Sequence, residues 1–573
     1  MQPIRSFLGF AVLASGFLVS AAFGQTPCQA RFPMAVIADH RADGGGLELA
    51  LMLEESQALA ASDHVRFESV PLPDGASVDL DLHRVTLDDS ELVVLVDGAP
   101  AHPDDGGSIL WSGRVAGDAD SDVYLAFSRF GSRGWIRHGG ETFHLLAGPG
   151  EQGGWSRSIS RLVSETSLLA HGARPPRCAS DALTVPGRLL SPPSSRAGGN
   201  SPLTTTTLTC RMALETDYQL YADFNDLAAE QTYITQLFAA ASARYVEQIN
   251  TVLQRVYIAY YTNPNDPWVT PDIGGSSVDM LYEFQAAWAG NLPNGANLGH
   301  FLSGANLGGG VAWLDVLCNP TYGFAVSGNI TIVTGQTPFP VVQGPSNWDF
   351  MVLTHETGHN FGTPHTHDFC PPIDQCAPQG YFGQCQTQQV CINNGTLMSY
   401  CHLCPGGLSN IYPYFAQPCA DIMRQRAEAS CIGPWCTGPS NYCPATFNTT
   451  GLPGGIAGTG STSISANTFT LVADQLPHNK TVLFFYGDDQ VQVAQGQGFR
   501  CVGGHVYRLL PAVNSGPNGT VSRLLDFTHP PASSGPSRIE PGSSWNFQAY
   551  YRDPSAGNGG YNMTDAMAVP FCP

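Results

Sequence analysis

Hydrophobic and polar positions alternate differently in three successive parts of the chain. Between residues 25 and 184, short apolar or alternating runs such as Asp122–Phe127 are separated by clusters of Gly and Asp, which is typical of β-strands. From residue 203 to residue 436, strand-like runs alternate with helical stretches, the longest of them at 223–253, and this indicates an α/β domain. Residues 437–573 return to short alternating strands in a sequence rich in Thr, Ser, Gly and Asn. The pattern therefore predicts a multidomain protein with a β-rich, an α/β and a sandwich-like all-β domain, in that order.

A segment poor in structure-forming residues joins the first two domains. Residues 185–202 are rich in Pro, Gly and Ser and are expected to form an exposed linker, where proteolytic cleavage is easiest. Arg188 and Arg196 are both conceivable cleavage points, and the sequence does not distinguish them. Cleavage in this linker would make residues 25–184 a prodomain.

The first 24 residues have the pattern of a secretory signal peptide. Arg5 lies in a short basic beginning, a largely apolar run spans residues 7–20, and residues 21–24 (Ala-Ala-Phe-Gly) end the segment with small side chains. The apolar run is shorter than the ~20 residues that a membrane span requires, and no other stretch qualifies. We therefore expect cleavage near Gly24 and an exported protein that is not an integral membrane protein.

Composition and charge narrow the classes of function. The 573-residue chain has 16 cysteines, which in an exported protein indicates disulfides formed in an oxidising compartment. Its formal net charge of −21 and its pI of about 5.0 argue against nucleic acid or an anionic membrane surface as a partner.

Six cysteines lie between residues 370 and 404. Among them, Cys401 and Cys404 have the spacing of half a structural zinc site, but disulfides are the favoured interpretation.

Residues 355–365 have the spacing of a catalytic metal site, His-Glu-x-x-His-x-x-Gly-x-x-His. On an α-helix, His355 and His359 lie on one face, one turn apart, and can bind one metal ion together. Gly362 suits the left-handed residue that ends many helices, so the chain can turn back and bring His365 to the same ion. Three histidine ligands leave one tetrahedral position for water, and Glu356 is placed to accept a proton from that water.

This stretch resembles the zinc-binding consensus of the metzincin metalloproteases, a family that also has a tight turn with a methionine downstream. Residues 395–400 contain Met398 at a suitable distance for that Met-turn. Residues 113–143 resemble the prodomains of the adamalysin, or reprolysin, proteases, and residues 299–304 and 309–314 resemble the adamalysin strands that border the cleft. The resemblance implies a metzincin catalytic domain with a zinc helix, one catalytic Zn²⁺, and an edge strand that pairs with an extended substrate.

Some residues near the motif extend the family pattern or depart from it. In adamalysins an Asp directly follows the third histidine, so either Asp368 takes that position two residues late or the subfamily differs. His367 is a rival third ligand, although the family spacing favours His365. Tyr400 matches the position at which astacins and serralysins place a tyrosine near the metal. The resemblance makes it a fifth ligand or a hydrogen-bond donor to the transition-state oxyanion, and the alternative is a core tyrosine in a tight turn.

Cys178, in the sequence Arg-Pro-Pro-Arg-Cys, is a candidate zymogen switch. In several metzincin families a propeptide cysteine occupies the open position of the metal, and thiolate is a good zinc ligand. The alternative is a disulfide between Cys178 and Cys28, the only other cysteine before residue 203. An even number of cysteines remains from Cys210 onward in either case, so the count does not decide.

Two classes of function are compatible with these features. The first is a secreted zinc endopeptidase that is made as a zymogen, acts on protein or peptide substrates and is inhibited by its own prodomain. The second is a non-catalytic binding or adhesion protein with structural zinc on the same scaffold. Glu356 favours the first, because a structural site needs no general base. Residues 437–573 are expected to be a substrate-targeting or attachment accessory, or a structural cap. Calcium binding is possible, although no motif indicates it.

Overall fold

The structure is a computed structural model that describes most of the chain. The described residues are 28–43, 46–89, 91–147, 159–170, 183–186, 206–330, 348–435, 438–464, 467–540, 543–556 and 559–571. The expected signal peptide, Cys178, Arg188 and Arg196 lie outside these residues.

One large sheet dominates the N-terminal part. The strands of this part are β1 (Cys28–Arg31), β2 (Met34–Asp39), β3 (Leu47–Leu51), β4 (His64–Pro71), β5 (Ser77–Arg84), β6 (Val93–Val96), β7 (Ala99–Ala101), β8 (Ile109–Val115), β9 (Asp122–Phe127), β10 (Arg133–His138), β11 (Glu141–Leu146), β12 (Ile159–Ser164) and β13 (Leu183–Thr184), with the short helices α1 (Leu53–Ala58) and α2 (Glu165–Ala170). Ten strands form the sheet in the order β1-β4-β5-β8-β9-β10-β11-β12-β3-β2. In β5, Val78, Leu80 and Leu82 are buried and alternate with partly exposed aspartates, as the period of a strand requires. The β-rich, multidomain organisation expected from the sequence is confirmed.

The middle part combines a mixed sheet with long helices. Its strands are β14 (Leu208–Thr216), β15 (Thr251–Tyr260), β16 (Leu298–Leu302), β17 (Gly310–Leu314), β18 (Phe324–Ser327) and β19 (Gly433–Pro434), and its helices are α3 (Tyr218–Phe224), α4 (Leu227–Ile249), α5 (Ser277–Trp288), α6 (Trp348–Asn360) and α7 (Gln417–Ala429). The sheet follows the order β13-β17-β18-β16-β14-β15-β6-β7, with β19 beside β14. Strands β6, β7 and β13, which precede residue 185, are therefore part of this second sheet.

The helical stretch expected at 223–253 is divided in the structure. Asn225 is left-handed at the end of α3, and the Asp226 side chain accepts hydrogen bonds from the first N–H groups of α4. Asn250 ends α4 in the same left-handed conformation, and Thr251 already belongs to β15. The expected boundaries were wrong because these short polar residues favour helix ends over helix interiors.

The C-terminal part is all-β. Its strands are β20 (Ser440–Tyr442), β21 (Gly455–Thr459), β22 (Thr470–Asp474), β23 (Thr481–Gln495), β24 (Gly498–Arg508), β25 (Val513–Asn514), β26 (Val521–Leu524), β27 (Ser544–Arg552) and β28 (Tyr561–Pro570). A six-stranded sheet contains β20-β28-β27-β23-β24 with β25 beside β23, and a three-stranded sheet has the order β21-β22-β26. Leu471 of the small sheet and Phe484 and Phe547 of the large sheet share one core, which is the packing of a sandwich.

Disulfides are concentrated after the zinc-motif helix. Within the described residues they join Cys318 to Cys431, Cys370 to Cys385, Cys376 to Cys401, Cys391 to Cys404 and Cys443 to Cys501. The expected disulfides are confirmed, and the half zinc site at Cys401 and Cys404 is wrong because each sulfur is bonded to a different cysteine. These bonds agree with an oxidising compartment. Across the described chain, the helices are all too short or too polar to cross a membrane.

Candidate metal centre

Helix α6 carries the first half of the motif through the interior of the protein. All of its residues from Trp348 to Asn360 are buried. The Asn360 side-chain amide donates hydrogen bonds to the carbonyls of Trp313 (2.8 Å) and Phe324 (3.1 Å), which fixes the end of the helix to β17 and β18. Gly362 follows with φ +96°, a conformation that favours glycine, and its N–H donates to the His359 carbonyl at 2.9 Å. The chain therefore turns back directly after the helix, as the motif predicts.

The three motif histidines converge through the same ring atom. The Nε2 atom of His359 lies 3.1 Å from Nε2 of His355 and 3.1 Å from Nε2 of His365. On the far side of the rings, His355 Nδ1 is 2.7 Å from the Leu397 carbonyl and His359 Nδ1 is 2.8 Å from the Thr363 carbonyl. A carbonyl oxygen only accepts, so each Nδ1 carries the hydrogen and each Nε2 keeps its lone pair. The Nε2 atoms of the three histidines therefore lie together and can bind one metal ion.

Burial keeps these histidines in the form that binds metal. All three side chains are almost fully buried, and desolvation lowers the pKa of His355 to about 4. Desolvation, with the charges of the neighbouring histidines, holds the pKa values of His359 and His365 well below their usual range. Neutral imidazole is the ligand form, so the set is ready to bind a metal ion at neutral pH. Three such nitrogens fit a Zn²⁺ site.

His367 and Asp368 lie behind the third histidine. The rings of His365 and His367 stack at a centroid distance of 5.1 Å with 8° between their planes. His365 Nδ1 is 3.5 Å from a carboxylate oxygen of Asp368. Asp368 is therefore beside the outer nitrogen of His365. His367 lies against the face of that ring, outside the group formed by the ligand atoms of His355, His359 and His365.

Glu356 lies under β17, one of the strands that resembles the cleft border. Its side chain is buried, and a Cβ atom built on Gly310 would lie 2.4 Å from Glu356 Oε1 and 2.5 Å from Val352 Cγ2. Residue 310 must therefore be glycine for the carboxylate to occupy this position. The strand was expected from the sequence but the role of this residue was not, and the Gly309-Gly310 pair at the start of the strand was the available signal.

The turn around Met398 forms a second wall. Met398 is fully buried, and a Cβ on Gly358 would be 3.1 Å from its sulfur. The Thr366 N–H donates to the Met398 carbonyl at 3.0 Å, and the preceding carbonyl, of Leu397, accepts from His355. The structure therefore places the turn directly against the helix and the third-ligand segment.

Tyr400 and His402 lie beside the histidine trio. The Tyr400 ring is fully buried, with its centroid 4.5 Å from that of His365 and 4.7 Å from that of His367. His402 is 5.7 Å from Tyr400, and desolvation lowers its pKa to about 3. His402 was not among the expected site residues, and its position four residues after Met398 was the available signal.

The N-terminal part of the chain reaches the edge strand next to the site. Leu183 and Thr184 of β13 pair in parallel with Trp313 and Leu314 of β17. In the order of the sheet, β13 occupies the outer edge of β17. An extended segment from before the linker thus lies on the strand that passes Glu356.

The middle part of the chain is similar to a known protein family. Residues 206–405 match the family model Reprolysin_5, which describes metallo-peptidase family M12. No curated protein sequence matches the chain. Similar solved structures include metalloproteinase-II from Bacteroides fragilis, at 9% identity and a TM-score of 0.31 over 58% of this chain and 88% of that chain. Wild-type OgpA from Akkermansia muciniphila is similar at 11% identity and a TM-score of 0.21, over 67% of this chain and 98% of that chain.

The family match covers the whole metal centre, from β14 to Cys404, and it agrees with the resemblance that the motif and the Met-turn carry. The match, unlike the two structural likenesses with their low scores, bears on function, since metallopeptidases of this family cleave peptide bonds with a bound metal ion. Residues 206–405 are therefore similar to the reprolysin-like metallopeptidases of family M12.

Proposed function

We propose that this protein is a secreted zinc endopeptidase, made as a zymogen, in which His355, His359 and His365 hold one catalytic Zn²⁺. The observation that carries the proposal is the convergence of three Nε2 atoms, within 4.8 Å of one another, at the helix that also carries the buried Glu356. Zn²⁺ bound there supplies Lewis acidity, which makes water a nucleophile near neutral pH. Glu356 takes a proton from the attacking water and returns it to the leaving amine. Met398 is assigned a structural role beneath the histidines.

The edge of β17 is the proposed substrate-binding strand. An extended peptide can pair with the backbone of an edge strand, and β17 brings that edge past Glu356. We assign to Tyr400 the role of stabilising the transition-state oxyanion, supported by its position against His365. The substrate is thus a protein or peptide in an extended conformation.

Latency is proposed to come from the N-terminal part of the chain. Because β13 lies on the edge of β17, a substrate must displace it before pairing with that strand. Cys178 precedes β13 by five residues, a distance of at most ~17 Å in an extended chain, and remains the proposed thiolate switch. A disulfide with Cys28 remains the alternative. Cleavage in the linker at 185–202 would free the edge strand.

Cleavage of casein by the matured protein tests the proposal. Activity should require the metal and be lost both with a zinc chelator and in Glu356→Gln, while that variant still binds one zinc per chain. The matched control is Glu540→Gln, since Glu540 is exposed in the C-terminal part and its carboxylate pairs with the exposed Arg538. A matured, zinc-loaded protein that cleaves nothing would overturn the proposal and favour a non-catalytic binding protein.

A further inference from the structure

The N-terminal part of the chain supplies two strands to the sheet of the protease. Strand β6 pairs in parallel with β15, with Val93 opposite Tyr257 and Val96 opposite Tyr260, and β7 follows as a hairpin. The hairpin lies at the opposite end of the sheet from β17. Without it, Tyr257–Tyr260 of β15 would present an edge of unpaired backbone N–H and C=O groups, which is an aggregation hazard.

Charged residues fix the hairpin at both ends. Arg255 of β15, whose side chain is only 2% exposed, forms an ion pair with Asp89 at 2.5 Å, and Arg211 of β14 pairs with Glu91. At the other end, Asp97 accepts a hydrogen bond from the Thr262 N–H at 2.9 Å. A buried guanidinium that loses its carboxylate keeps the cost of desolvation without the compensating charge. Loss of the Arg255–Asp89 ion pair therefore makes separation of the N-terminal part from the catalytic part unfavourable.

A second contact covers helix α4. Tyr124 donates from its hydroxyl to the Gln236 carbonyl at 2.7 Å, and the buried Arg133 donates to the Gln236 side chain at 2.9 Å. Arg244, also buried, pairs with Asp122 at 2.7 Å. Seventeen of the 23 residues of α4 are buried, as expected for a helix enclosed on all sides. The sheet of the N-terminal part forms one of the walls around this helix.

The same contact reaches the helix that carries the motif. The Trp135 ring of β10 lies 5.0 Å from the Phe350 ring of α6. One hydrophobic core contains side chains from both parts of the chain; those from the N-terminal part are Val94, Leu110, Tyr124, Ala126, Phe130 and Trp135. Removing this part would expose apolar surface of α4 and α6 and leave buried polar groups without partners.

We propose that residues 28–170 remain bound to the catalytic part after the linker is cut, as a non-covalent subunit of the working enzyme. Only β13, held on β17 by two residue pairs, then has to leave the edge strand. The partner of the β15 edge and of α4 is thus this chain's own N-terminal part, kept in place after maturation. The retention follows from the contacts alone, and only its place in an active enzyme rests on the proposed protease function.

The test uses the full chain with a recognition site for a sequence-specific protease inserted within residues 187–202. In a Glu356→Gln background, the cut protein at micromolar concentration should elute from gel filtration with both fragments in one peak. Separate elution of the N-terminal fragment overturns the proposal.

The same insertion in the wild-type background should give a co-eluting complex that cleaves casein. A co-eluting complex that gains activity only after the fragment is stripped with mild urea would make the domain an inhibitor and would also overturn it. Absence of activity in all forms, with co-elution intact, contradicts the protease function and leaves the retention supported.

A pair of matched variants tests the contact at the hairpin. Asp89→Asn removes the charge that faces buried Arg255, whereas Asp79→Asn removes the same charge from an ion pair with Arg66 inside the N-terminal part, at 3.1 Å. The dissociation constant of the cut complex should rise about tenfold or more for Asp89→Asn and stay within about twofold for Asp79→Asn. Equal dissociation constants for the two variants would contradict the role of the hairpin.

Discussion

Replacement of Gly310 by alanine tests the position of Glu356, the proposed general base, separately from the three motif histidines. The added Cβ would lie 2.4 Å from Glu356 Oε1 and 2.7 Å from Glu356 Cγ, whereas ordinary contacts between such atoms are ~3.5 Å. The glutamate side chain must therefore move by about 1 Å. The backbone of Gly310 is not in the left-handed region, so the effect comes from the methyl group and not from backbone strain.

A displacement of ~1 Å at a catalytic group costs on the order of 100-fold in rate. We therefore expect kcat/KM of Gly310→Ala for a peptide substrate to fall about 100-fold, equivalent to about 2.7 kcal/mol of transition-state stabilisation. The three atoms nearest to the added Cβ belong to Glu356 and Val352 and not to a histidine, so the variant should still bind one zinc per chain. The assay is steady-state cleavage of a fluorogenic peptide, together with metal analysis of the same sample.

The matched control is Gly433→Ala in β19, where an added Cβ meets no atom within 4 Å. Its kcat/KM should equal that of the wild type within about twofold. If Gly310→Ala retains full activity, Glu356 is not held by β17 and the reasoning is refuted. Loss of zinc from Gly310→Ala would also refute the reasoning, because the substitution would then disturb the histidines as well as Glu356.

Three further predictions concern other residues. Tyr400→Phe keeps the ring against His365 and removes the hydroxyl, so kcat should fall roughly 100-fold with zinc content unchanged; full activity would leave Tyr400 as a core residue. Burial raises the pKa of Glu215, which accepts from the Tyr261 hydroxyl, to about 8, so its contribution to the free energy of unfolding is complete below pH ~4.5 and is lost as the pH rises through 8. Calorimetry should show Tm falling more steeply from pH 5 to 9 in the wild type than in Glu215→Gln, and equal slopes would contradict the burial argument. In the uncut chain, Cys178→Ser should raise casein cleavage while Cys28→Ser does not; an equal effect of both would indicate that the two residues form a disulfide.

The metal centre was predictable because its information is local. The spacing of His355 and His359 on one helix, with a glycine at the helix end, determines which ring faces meet. The resemblance then supplied Met398 and Tyr400, whose places beside the helix agree with it. The disulfides were expected from the number of cysteines together with the predicted export of the protein.

The pairing of β6 with β15 was not predictable in the same way. Alternation of apolar residues marks Val93–Val96 as a strand, but it does not say which sheet the strand joins. Its partner lies more than 150 residues away, at Tyr257–Tyr260, and the pairing is accompanied by long-range ion pairs such as that of Asp89 with Arg255. The requirement for glycine at position 310 was not predictable for the same reason, because only the packed structure brings Glu356 beneath this residue.

The disulfides around Met398 have a consequence for where the metal centre can form. The Leu397 carbonyl that holds the His355 ring lies in a segment whose neighbours Cys401 and Cys404 are bonded to Cys376 and Cys391. In a reducing cytoplasm these bonds do not persist, and the acceptor that orients His355 loses its anchorage. The affinity of the site for a metal ion therefore depends on whether the surroundings keep these cysteines oxidised. Under the proposed function, the site would reach its full affinity for zinc only after export, and this would protect the producing cell in addition to the proposed prosegment.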